Sequence, residues 1–166
     1  MEDTIKFIES NERRFLDELK EFLKIPSIST NPENKEDVKR AAEFVKDKMM
    51  DAGVENVEIF QTKGTPVVYG EGLHAAEDAM NVLVYGRFDV QPVDPLDLWT
   101  DPPFEPTIKG DKIYARGATD DKGQFFIHLK SVESVLKTLG KLPVNVKVIA
   151  EGEEDIGSEH LDGFIK

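Results

Sequence analysis

The sequence predicts an α/β fold, a layered sheet flanked by helices, on two observations. Apolar residues recur at helical spacing over residues 5–24, 36–50 and 124–138. Between them stand short apolar runs rich in Val, Ile and Tyr, at residues 57–61, 65–70, 81–86 and 144–150, the length and composition of buried strands. Helices interleaved with such strands bury their apolar stripes by packing as layers against a sheet.

Each element has its own justification. In the first helix Ile5, Ile8, Phe15, Leu16, Leu19, Phe22 and Leu23 share one face, and Pro26 marks its end. In the second Val38, Ala41, Ala42, Val45 and Met49 lie on one side, with Gly53 as a natural stop. The strands VEIFQ, TPVVYG and NVLVYG come next. Residues 91–110 carry Pro92, Pro95, Pro102, Pro103 and Pro106 and read as one long loop, a feature that is functional or disordered as a rule. Residues 113–115 form a short strand. The third helix places Phe125, Ile127, Leu129, Val132, Val135 and Leu136 at helical spacing, and VNVKVIA is the last strand. The closing LDGFIK starts another helix with no cap after it and no further strand, so the chain is expected to be cut there.

Composition narrows the function. The 166 residues include 33 Asp and Glu against 21 Lys and Arg, a formal net charge of -12. That field repels phosphate backbones, which argues against a nucleic-acid partner, and clustered carboxylates attract cations instead. The chain has no cysteine, which excludes disulfides, thiolate ligands and a thiol nucleophile. Its N-terminus is amphipathic and acidic rather than a signal peptide, and no apolar run approaches the roughly 18 residues of a membrane span. A cytoplasmic protein without a membrane partner is the expectation.

Three groups of carboxylates stand just past strand ends or in tight turns. Asp89 lies just beyond NVLVY. Asp120 and Asp121 sit in RGATDDKG, a glycine-bracketed turn leading into a helix. Glu151, Glu153, Glu154 and Asp155 sit in EGEEDIGS, just beyond VNVKVIA. Ligands of open α/β sheets bind outside the carboxyl ends of strands. Carboxylates that converge repel one another unless they share protons or bind cations, and hard oxygen donors suit divalent metals. The alternative is that these are solvated turn residues of an acidic chain.

Together IPSIST, GTPVVYGEG, LVYGRFDVQPVDPLDLWTDPPFEPTI, YARGATDDKGQ and EGEEDIGS resemble the di-zinc metallopeptidases that include carnosinases, cytosolic nonspecific dipeptidases, aminoacylases and glutamate carboxypeptidases. DVQPVDPLDLW, RGATDDKGQ and EGEEDIGS place the likeness in the dipeptidase branch. The resemblance implies a zinc-peptidase-like catalytic domain whose substrate is a dipeptide or an N-acyl amino acid. It implies that Asp120 bridges two zinc ions, that Asp155 ligates one of them and that Glu154 is the general base. Asp89 would orient a metal-binding histidine. In such a site a water held between two cations loses its proton to Glu154 and attacks the scissile carbonyl.

Three departures accompany the resemblance. Arg87 stands where the family carries the histidine of a His-x-Asp pair; an arginine is always protonated and has no lone pair, so it cannot serve as a ligand. Its guanidinium is expected either to swing into the site as a surrogate cation, pairing with Asp89 or Asp120, or to point to solvent. Asp155 stands where Glu is common, one methylene shorter. The further acidic ligand, the second histidine and the lid and dimerisation domain of the family all belong downstream of Lys166. None of the histidines present fills in: His74 is in a polar loop, His128 in a helix and His160 just past the GS turn. Trp99 reads as a packing anchor for its loop, and Lys122 as a contact of Asp120 or Glu154 or a surface residue. Three readings are open: a metal-dependent dipeptidase, a non-catalytic fragment or pseudoenzyme with Arg87 in place of a ligand, and a plain cation-binding module.

Overall fold

The computed structural model describes residues 1–73, 75–76 and 78–166. Two helices come first, α1 (Glu2–Leu23) and α2 (Lys35–Asp51), and then strands β1 (Glu55–Phe60), β2 (Val67–Gly72) and β3 (Asn81–Arg87). A small hairpin, β4 (Thr107–Lys109) and β5 (Lys112–Tyr114), precedes α3 (Lys122–Leu139), β6 (Asn145–Glu151) and the short α4 (Leu161–Ile165). The main sheet has the order β1-β2-β6-β3. β2 is antiparallel to both β1 and β6, whereas β3 and β6 run parallel. A parallel pair needs a crossover, and here it contains α3.

One face of the sheet carries the core. Val68, Val146, Val148 and Ala150 point from the strands toward Phe22, Val38, Ala42, Val45, Met49, Phe125 and Leu129 of the three long helices. Helix α3 presses closely on β3 at Gly86, where a Cβ would come within 2.3 Å of the Phe125 ring. A side chain there would push the helix off the sheet. Helix α3 ends at Gly140, whose φ of +71° gives the left-handed cap that glycine allows without strain.

The main elements match the periodicities to within a few residues. The long loop over residues 91–110 needs correction, because residues 107–109 form β4 and pair with β5 in the register Lys109↔Lys112. The two-residue turn Gly110-Asp111, with Gly110 at φ +63°, is the sequence signal for that hairpin. Lys122 corrects a second expectation. It is fully buried, with Nζ donating to the carbonyls of Phe22 (3.0 Å) and Ile25 (2.7 Å). Its ammonium thus caps the C-terminal end of α1 and sits over the Phe22 ring, rather than contacting Asp120 or Glu154. Burial lowers its pKa to about 7. Among the described residues, no helix is long and apolar enough to cross a membrane.

Candidate active site

The parallel pairing of β3 and β6 brings two chain segments to one edge of the sheet. Arg87 lies beside Glu151 in the register, so the segments leaving the two strands emerge at the same place. The Phe88 N–H donates to the Glu151 carbonyl at 2.8 Å, which extends the pairing by one residue. Phe88 is itself fully buried against Gly152, where a Cβ would come within 2.4 Å of its ring. The alternation of extended backbone then sends Arg87 and Asp89 away from the Phe88 side.

Arg87 turns inward. Its Nη2 donates to Asp120, and its Nη1 donates to Asp155 and pairs with Glu154. The residue is only 9% exposed. Of the two partners expected for it, Asp120 is engaged; Asp89 instead accepts through Oδ2 from the Ser29 hydroxyl (2.7 Å) and the Asp155 N–H (3.1 Å). The Arg87 backbone N–H donates to Asp121 at 3.3 Å, and the Asp120–Asp121 peptide bond is cis. Gln91 adds an amide N–H to Asp155 at 2.7 Å. Asp120, Glu154, Asp155 and Asp89, which belong to segments far apart in the chain, thus converge on one cradle.

Its electrostatics derive from burial and from the excess of carboxylates. Burial opposes the charge of Arg87, but hydrogen bonds to Asp120 and Asp155 and their negative charge outweigh it and hold the guanidinium pKa above its usual value. Burial pushes the Asp89 carboxyl up to about 6, against the hydrogen bonds from Ser29 and Asp155 that favour its charged form. Burial also raises Asp121. Asp89 Oδ1 and Asp155 Oδ2 are buried and lack a hydrogen-bond partner. Such orphaned acceptors are costly, and each has room in its bonding for a further donor or a cation.

The four acids of EGEEDIGS divide into two pairs. Glu154 and Asp155 face the cradle. Glu151 and Glu153 are buried supports that sequence reasoning did not separate from them. Glu151 accepts from the Tyr85 and Ser158 hydroxyls, which closes the turn on itself. Burial, and after it the hydrogen bond to Glu151, raises the Tyr85 phenol above its ordinary range. Glu153 accepts the N–H groups of Thr65 (3.1 Å) and His160 (2.6 Å) and lies 3.2 Å from His160 Nδ1. Strand alternation does not separate the two pairs, because only Glu151 is still in β6, while Glu153, Glu154 and Asp155 follow its end. Ser29 and Gln91 were also missed as supports, although both lie inside motifs that carry the resemblance. His160 therefore supports the turn, and His128 is exposed on α3. His74 lies outside the described residues. Trp99 anchors its loop as expected, donating from Nε1 to the Val93 carbonyl at 2.8 Å with the Arg116 guanidinium over its ring.

The profile of peptidase family M20/M25/M40 matches residues 83–165, the half of the chain that holds Arg87, Asp120 and the EGEEDIGS turn. The chain belongs to that family. It is 31% identical to the Beta-Ala-His dipeptidase of Rattus norvegicus over the whole of this chain and 36% of that protein. Among solved structures, human carnosine dipeptidase 1 superposes with a TM-score of 0.90 at 30% identity, over 99% of this chain and 37% of that one. A family M20 metallo-carboxypeptidase from Sulfolobus solfataricus does so with a TM-score of 0.82 at 41% identity, over 91% of this chain and 33% of that one. The chain spans about a third of the length of the curated relatives it matches.

Membership of the M20 family implies a divalent metal, typically zinc. The residues of this cradle do not fit one. The guanidinium of Arg87 lies among Asp120, Glu154 and Asp155, where a cation would sit, and it offers no lone pair. Among the described residues, no group of three or more His, Asp or Glu side chains is placed to hold a metal ion.

Proposed function

We propose that this chain is part of a dipeptidase-type catalytic domain whose metal cradle is closed by Arg87, so that it keeps the architecture of a hydrolase site without the hydrolysis. One observation carries this reading: a single guanidinium is bonded to Asp120, Glu154 and Asp155 together. The parent reaction is cleavage of a dipeptide or an N-acyl amino acid, supported by relatives that are dipeptidases at about 30% identity. In that parent site Asp120 and Asp155 are metal ligands, with two zinc ions as the expected complement. Glu154 is the proton acceptor and Asp89 orients a ligand at position 87. Here Glu154 is engaged with Arg87, and Asp89 keeps an orphaned oxygen.

The reading is tested by zinc bound per chain, measured by equilibrium dialysis with elemental analysis on this protein and on Arg87→His. The unaltered protein is expected to hold well under one zinc per chain at micromolar metal. Arg87→His is expected to bind more tightly, because a neutral imidazole supplies the lone pair that arginine lacks and releases three carboxylates. Dipeptide cleavage is expected from neither. Near-stoichiometric zinc on the unaltered chain, or hydrolysis of a dipeptide by it, would show that Arg87 does not close the site.

A further inference from the structure

In a chain of net charge -12, one cleft has the opposite character. It has a volume of about 550 Å³ and lies between the loop at residues 61–66 and the start of α2. Lys35, Lys39 and Lys63 line it together with Ser29, Asn31 and Thr65, and none of its lining residues is an Asp or Glu. Lys39 is engaged by Glu36 at 2.7 Å, whereas Lys35 and Lys63 form no ion pair among the described residues. Buried Val38 and Pro66 give the cleft an apolar floor.

The walls of this cleft also support the cradle. Ser29 donates to Asp89 on one side, and the Thr65 N–H donates to Glu153 on the other. A group bound here therefore lies across Ser29 and Thr65 from Asp89 and Glu153, which adjoin the carboxylates that hold Arg87. Lysine ammoniums are compact, strongly hydrated point charges that suit small oxyanions, and the Asn31 side-chain amide, which directs one N–H to Asn34, has a second N–H in the same lining.

We propose that this cleft is an anion subsite that takes a compact oxyanion, either the carboxylate of a small peptide or inorganic phosphate. The assignment is independent of whether Arg87 closes the neighbouring cradle, because none of the cradle's acids lines the cleft.

The test is ¹H–¹⁵N NMR titration of the full chain at low ionic strength, monitoring the Gly64 and Thr65 amides. The probes are sodium phosphate, alanyl-leucine and alanyl-leucinamide, which lacks the carboxylate. Saturable shifts with the free dipeptide, absent with the amide, assign the subsite to a peptide carboxylate; saturation with phosphate alone assigns it to phosphate. In either case a Lys35→Gln/Lys63→Gln variant, which alters only exposed side chains and should keep its melting temperature, is expected to bind about tenfold more weakly or worse. Added salt is expected to weaken binding to the unaltered chain. The proposal is overturned if neither anion gives saturable shifts, if the amide binds as well as the acid, or if the double variant binds unchanged. The zinc measurement on Arg87→His is unaffected by any of these outcomes, so the two readings fail separately.

Discussion

Two clusters of buried charge hold this molecule together, and they are built differently. Among α1, α2 and α3, Arg14, Lys48 and Lys130 face Glu18 and Glu133: Arg14 pairs with both acids, Lys130 with both, and Lys48 with Glu18. Cations match or exceed acids, and the Lys130 ammonium also lies over the rings of Phe15 and Phe126. At the sheet edge, one guanidinium faces Asp120, Glu154 and Asp155, with Asp89 and Asp121 just behind. A cluster that serves packing balances its charges, because each uncompensated buried ion costs several kcal/mol. In the cradle the acids outnumber the one cation, and the guanidinium of Arg87 is shared among three of them.

The largest effect that tests this contrast is the removal of that cation. Arg87→Met is expected to lose about 3 kcal/mol of stability at pH 7, because the nearly inaccessible Asp155 side chain is left without its countercharge. Urea melts at pH 7 measure it. A loss below about 1 kcal/mol at pH 7 would mean that the cradle is solvated enough to tolerate its own charge.

Asp89 gives the next largest effect, with the opposite sign. Its folded pKa of about 6 lies above the ordinary value of 3.8. The folded state therefore binds more protons than the unfolded one between those values. Stability from this group is fully present below pH 3.8 and is lost as pH rises through about 6. Asp89→Asn removes the buried charge and keeps an oxygen for the Ser29 hydroxyl and the Asp155 N–H. It is expected to gain about 1–3 kcal/mol at pH 7 and almost nothing at pH 4. A variant that loses stability at pH 7 would show that the charge of Asp89, rather than its shape, holds the Asp155 turn.

The smallest expected effect lies in the balanced cluster. Lys130→Met keeps most of the apolar stem, while Arg14 and Lys48 remain to compensate Glu133 and Glu18. The expected loss is about 1 kcal/mol, measured by the same melts. A loss equal to that of Arg87→Met would erase the distinction between the two clusters.

Much of the fold was legible in the sequence, because periodicity reports which face of an element is buried. The apolar stripe of α2 (Val38, Ala41, Ala42, Val45 and Met49) recurs unchanged among its buried residues. The motifs likewise indicated which acids to examine. Less legible was anything set by a partner distant in the chain. Lys122 comes directly after two aspartates, yet it runs beneath the sheet edge to carbonyls at residues 22 and 25. Strand β4 was hidden because proline density around it outweighed its two-residue turn.

By itself the sequence determined the long helices, the strands of the main sheet, the family, and the presence of an arginine where the resemblance implies a ligand. Those features derive from local spacing and from the chemistry of single side chains. Only the tertiary structure decided that Arg87 points inward, that Glu151 and Glu153 support the turn while Glu154 and Asp155 face the cradle, and that Lys122 is buried. A side chain takes its direction and its charge state from neighbours brought beside it by packing, and the parallel register of β3 and β6 that assembles those neighbours spans more than sixty residues of chain.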